Sequence, residues 1–110
     1  MLTGEDALFY GALAHGADGG ILASSHLMTA GFVEVGRRFA ANDVAGARAA
    51  WATLASFVPL LFAEANPMPI KYLLWRQGLI ASPECRLPLT HISEALARRL
   101  DAATAERLAA

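Results

Sequence analysis

One short apolar run, Gly20-Ile21-Leu22-Ala23-Ser24-Ser25, stands between glycines and polar residues in a chain whose other apolar residues follow helical spacing. Its length and flanks read as a buried β-strand. Leu2-Thr3 reads as the stub of a second strand ahead of a first helix. One or two parallel strands do not stand alone, because parallel sheets are covered on both faces and need neighbours. The expected fold is therefore mostly α with one or two short parallel strands, in a piece that is incomplete or that associates with something else.

Composition points the same way. Of 110 residues, 55% are hydrophobic and 17% charged. A domain of this size buries only about two-thirds of its unfolded-chain surface. Part of the apolar sequence is thus expected to be covered from outside, and the isolated chain to be marginally folded or self-associating. Disorder is excluded, since it needs low hydrophobicity and high net charge. Nine basic residues against ten acidic ones exclude the basic patch of a nucleic-acid binder. The lone cysteine, Cys85, has no disulfide partner within the chain, which fits a reducing compartment and a cytoplasmic location. The acidic start, Gly4-Glu5-Asp6, is the reverse of a signal peptide. The longest uncharged run, Ala49 to Ala63, has 15 residues and contains Pro59. A membrane span needs roughly 20 apolar residues, so no membrane partner is expected.

Helical periodicity accounts for the rest. A first helix is expected over Glu5 to His15, with acids facing the positive end of its dipole and Gly16 closing it. A second covers Leu27 to Ala41, where Met28, Phe32, Val35 and Phe39 share one face. Asn42 or Asp43 caps a third, running to about Ala65 with a stripe of Val44, Ala47, Trp51, Leu54, Val58 and Leu61, kinked at Pro59. Asn66-Pro67-Met68-Pro69 breaks the chain, and Pro69 suits the first turn of a fourth helix ending near Gly78. That helix is apolar on more than one side, with Ile70, Leu73 and Leu74 against Tyr72 and Trp75, so it is expected to be covered on two faces. After a loop from Ser82 to His91, Ser93 caps a last helix carrying Leu96, Leu100 and Leu108.

Few residues carry a chemical signal. Lys71 is the only lysine. Its apolar neighbours suit a Schiff-base nucleophile of lowered pKa, but no acid–base partner accompanies it, and a packed stem with a satisfied ammonium is favoured. His15, His26 and His91 lack metal-ligand spacing, so no metal is expected. His26 either faces a site mouth or closes the strand, and the second is favoured. Ser24-Ser25-His26 sets a serine next to a histidine, but adjacent residues on a strand point to opposite faces, so this is a poor nucleophile–base pair. The glycines of Gly16-Ala17-Asp18-Gly19-Gly20 precede a strand rather than follow one, which is the wrong context for a dinucleotide fingerprint. No cofactor is expected. Glu5-Asp6 is a paired carboxylate suited to a substrate ammonium or cation, though favourable charge at a helix start explains it more simply.

Taken together, four segments resemble the C-terminal part of the dihydrodipicolinate synthase family. Leu2-Thr3-Gly4-Glu5-Asp6-Ala7-Leu8 resembles its "SGDDAL" segment, and Gly16-Ala17-Asp18-Gly19-Gly20-Ile21 its segment into the eighth barrel strand. Leu61-Phe62-Ala63-Glu64-Ala65-Asn66-Pro67-Met68-Pro69-Ile70-Lys71 resembles "LF.E.NPIPVK", and Arg86-Leu87-Pro88-Leu89-Thr90 resembles "LRLPLTP". The first two also suit other lysine-dependent pyruvate aldolases such as N-acetylneuraminate lyase. The last two favour the dihydrodipicolinate synthase branch. Ala65, where proline is common, and Leu22-Ala23-Ser24-Ser25-His26, where "SVTAN" is usual, depart from the pattern.

The resemblance implies a C-terminal fragment of a (β/α)8 TIM barrel plus its three-helix extension. Residues 1–41 would be the last two βα units and 42–110 the helical extension. A barrel takes about 250 residues, so this stretch cannot close one. The family performs a class I aldol condensation of pyruvate with aspartate semialdehyde, in lysine biosynthesis. A lysine forms a Schiff base with pyruvate and a tyrosine relays protons. By the resemblance both lie on earlier strands, Lys71 is not the Schiff-base residue, and no catalytic residue is assigned here. Gly4 and Ile21 would line the pyruvate pocket, with Glu5 and Asp6 on its rim. The implied partners are pyruvate, a small aldehyde, the rest of the barrel and further copies in a homo-oligomer. The fragment alone would be inactive. A different acceptor aldehyde, or a non-catalytic helical module that keeps the tail as an interaction surface, are the competing readings.

Overall fold

In a computed structural model of the chain, residues 1–109 are described, with side chains through residue 107. The expected Leu108 on the last helix therefore lies outside the described side chains. The element order is β1 (Leu2–Thr3), a 3-10 turn (Asp6–Leu8), α1 (Phe9–Ala14), β2 (Gly19–Gly20), α2 (Ser25–Ala40), α3 (Val44–Ala55), α4 (Val58–Leu61), α5 (Met68–Arg76) and α6 (Glu94–Ala109). The mostly helical class with two short parallel strands is what the sequence led us to expect. The chain divides into two compact units, Met1–Val58 and the residues from Pro59 onward. Within the first unit α3 packs along α2.

In the first unit, β1 and β2 pair in parallel, Leu2 opposite Gly19 and Thr3 opposite Gly20. The Leu2-Thr3 strand is present, while the run after Gly20 corrects the expectation of a strand to Ser25. Only one more ladder bond follows, from Ile21 N to Thr3 O at 2.9 Å. The chain then turns, with Ser25, His26 and Leu27 each donating to the carbonyl three residues back, so α2 starts two residues earlier than its spacing suggested. Met28, with φ −129° and ψ 39°, breaks the regularity of α2. The first helix likewise begins as a 3-10 turn and ends at Ala14. Gly16 follows at φ +94°, a conformation that glycine enters without the Cβ penalty.

The core of this unit is an aromatic triangle. The Phe9 and Phe32 ring centroids lie 5.4 Å apart, Phe9 and Trp51 6.3 Å, and Phe32 and Trp51 6.1 Å, all tilted or edge-on, as the ring quadrupoles prefer. Met28, Phe32 and Val35 are buried on the face their spacing marked, and Phe39 stacks on Tyr10 at 5.2 Å. On α3, Ala47 and Leu54 are buried but Val44 is exposed, so the stripe starts one turn later than expected. Two small residues allow the close approach of the helices: Ala47 is fully buried, and a Cβ on Gly31 would lie 2.7 Å from Leu54 Cδ2. Asp43 is the cap, accepting from Gly46 N at 2.9 Å. Arg38 ties the turn to α2 through Asp43 (3.0 Å) and Glu34 (2.6 Å). Pro59 ends the helix instead of kinking it. It has no N–H for the Ala55 carbonyl and its ring crowds that group, and α3 stops at Ala55.

In the second unit, α5 carries Pro69 in its first turn and stops before Gly78. Pro69, Ile70 and Leu73 are buried, whereas Trp75 is exposed, so only one face is fully covered. Tyr72 Oη donates to Asp101 Oδ2 at 2.9 Å, and Arg76 Nε to Asp101 Oδ1 at 3.3 Å, which fastens α5 to α6. Leu96 and Leu100 are the buried face of α6.

Candidate functional site

Each short strand is followed by a helix, and the residues that leave the carboxyl ends of both strands lie together. Gly4 follows β1 and Ile21 follows β2. Both are open: Gly4 has space where a Cβ would stand, and Ile21 is 76% exposed. Leu2 of β1 is also exposed. Glu5 is exposed, and its amide donates to Thr3 Oγ1 at 3.3 Å.

Asp6 is placed differently from expectation. It is not on the rim beside Glu5 but 3% exposed, with Oδ2 accepting from Ser24 N at 2.6 Å. A carboxylate loses its water on burial and needs such a donor in return. The sequence marked Asp6 as a helix-start acid and gave no sign of a partner 18 residues away.

The other candidates are scattered. His15, His26 and His91 are all exposed, and among the described residues no group of three or more His, Cys, Asp or Glu could hold a metal ion. Lys71 Nζ donates to the carbonyl of Glu84 in the loop after α5. Ser24 is wholly buried with its Oγ lacking a hydrogen-bond partner. A cleft of about 530 Å³ lined by Phe9, Leu13, Asp18, Val33 and Arg37 opens at the amino end of β2, away from Gly4 and Ile21. No described helix is long and apolar enough to cross a membrane.

Comparison with known proteins bears on this arrangement. Residues 1–107 match the model of the dihydrodipicolinate synthetase family. The chain is 52% identical over 101 residues to 4-hydroxy-tetrahydrodipicolinate synthase 2 of Clostridium acetobutylicum, covering 92% of this chain and 35% of that protein. It is 41% identical over 100 residues to the 4-hydroxy-tetrahydrodipicolinate synthase of Sorangium cellulosum, covering 91% and 33%. Among solved structures it is similar to the dihydrodipicolinate synthases of Aquifex aeolicus (TM-score 0.91, 31% identity, 96% of this chain and 36% of that one) and Thermotoga maritima (0.89, 30%, 94% and 35%). The chain thus spans about a third of the length of the relatives it matches. A family match over almost its whole length means that the chain belongs to the dihydrodipicolinate synthetase family.

Proposed function

We propose that the chain is the C-terminal part of a Schiff-base pyruvate aldolase that condenses pyruvate with aspartate semialdehyde. The observation that carries this reading is the parallel β1–β2 pair, each strand followed by a helix, with Gly4 and Ile21 open at the carboxyl ends. Barrel enzymes keep their chemistry at that end. In this reading β1 and β2 are the last two strands of a (β/α)8 barrel and residues 42–110 are its helical extension. Gly4 and Ile21 line the pyruvate pocket, and the exposed Glu5 lies on the side of the second substrate. Asp6 acts from beneath rather than from the rim. The lysine that forms the imine, with loss of water from the pyruvate carbonyl, lies outside these residues. Lys71, engaged by the Glu84 carbonyl, is not that group. The complete enzyme works as a cytoplasmic homo-oligomer without a cofactor, and this chain by itself is inactive.

The test joins this chain to the preceding residues of the Clostridium acetobutylicum relative. The hybrid is expected to be trapped with pyruvate by borohydride on a lysine of the added part, and to consume aspartate semialdehyde. The 110-residue chain alone is expected to give no adduct. A folded hybrid without either activity, or an adduct at Lys71, refutes the proposal.

A further inference from the structure

Two ties join the segment after β1 to the segment after β2. The first is Ile21 N to Thr3 O at 2.9 Å; the second is Ser24 N to Asp6 Oδ2 at 2.6 Å. Each segment advances three residues between them, so Thr3–Asp6 and Ile21–Ser24 form a closed ring. Gly4 and Glu5 lie within one side of that ring, and Leu22 and Ala23 within the other. The second tie is the unusual one. Ser24 stands at the N-cap of α2, yet its side chain makes no capping bond, and the carbonyls of the turn Leu22–Leu27 serve Ser25, His26 and Leu27 but not the N–H of Ser24. A local Ser, Thr, Asp or Asn ordinarily solves this problem at the surface. Here a carboxylate 18 residues away solves it in the interior, where a charge-assisted hydrogen bond is strong and its loss costly. Capping alone does not call for a buried charge at that distance. What the distance achieves is a fixed spacing between the two strand-end segments.

We infer that Asp6 is a positioning residue: by holding Ser24 N it closes the ring and sets the place of Ile21 relative to Gly4. This rests on the reading that Gly4 and Ile21 line the pyruvate pocket. Asp6 touches no substrate and acts only through the backbone of the turn after β2.

The test uses Asp6→Ala, which removes the acceptor, and Asp6→Asn, which keeps a neutral one. In the 110-residue chain, Asp6→Ala is expected to speed amide exchange at both Ser24 and Ile21 by about tenfold or more, and Asp6→Asn to restore most of the protection. In the hybrid enzyme, Asp6→Ala is expected to raise KM for pyruvate about tenfold with kcat changed far less, and Asp6→Asn to recover it. Faster exchange at Ser24 with Ile21 and KM unmoved makes Asp6 a helix cap only and overturns the inference. Equal protection in all three chains overturns it as well. If the unaltered hybrid fails to bind pyruvate, the pocket reading falls, and exchange at Ile21 still decides whether Asp6 sets the ring.

Discussion

Glu64 accepts two hydrogen bonds from Ser93, one from Oγ at 2.5 Å and one from N at 3.0 Å, while Ser93 Oγ accepts from Leu96 N at 3.1 Å. The N-cap of α6 is thus itself held by a carboxylate 29 residues earlier, which explains the glutamate in the segment before Asn66-Pro67. Ser93→Ala removes the cap and the hydroxyl bond to Glu64, leaving the bond from Ser93 N. It is expected to lower unfolding stability by about 1 kcal/mol, read from the urea midpoint. Glu64→Ala should lower it less, because the cap bond to Leu96 N survives.

Acid should weaken the fold from pH 4.5 downward. Hydrogen bonds from Arg37 and then Arg38 hold the Glu34 carboxyl down to about 2. The Gly46 N–H and Arg38 lower Asp43, and the Ser93 hydroxyl and N–H lower Glu64. A carboxyl with a depressed folded pKa stabilises the native state above its unfolded value, and that contribution is lost as pH falls through the folded value. The urea midpoint is therefore expected to be flat from pH 7 to 5 and to drop between pH 4.5 and 2. A Glu34→Gln chain should show a shallower drop.

Alkali should act through Tyr72. Burial, and then the Asp101 carboxylate, raise its phenol above the ordinary value of 10.0. The native state holds this proton more tightly than the unfolded chain, so stability is lost as pH rises through the unfolded value toward the folded one. Tyr72→Phe is expected to flatten the loss above pH 10. Ultraviolet titration should find one of the two tyrosines ionising late.

Gly31→Ala should destabilise the first unit, because the added methyl meets Leu54 Cδ2 at 2.7 Å. Overpacking at a close helix–helix approach costs about 1–3 kcal/mol, more than the gain in helix propensity from replacing glycine returns. The double variant Gly31→Ala, Leu54→Ala should be less destabilised than the sum of the two single changes.

Much of this was legible in order along the chain. The buried face of α2, the break before α5, the cap at Asp43 and the left-handed Gly16 follow from spacing and from backbone chemistry within a few residues. Those preferences act over one or two turns, so the local sequence suffices to set them. The exposed Leu2 and Ile21 also follow the composition, which held more apolar residue than so short a chain can bury.

What the tertiary structure alone decided are the partners far apart in sequence. Asp6 reads as a surface acid at a helix start, yet it is buried under Ser24. Glu64 reads as part of a motif, yet its task is to hold Ser93. Gly20 to Ser25 reads as a six-residue strand, yet the ladder ends after Ile21, where the chain turns into α2 with Ser24 N held by Asp6. Periodicity reports which face of an element is apolar, and it is blind to which distant donor meets which acceptor. That pairing is settled only when the elements pack.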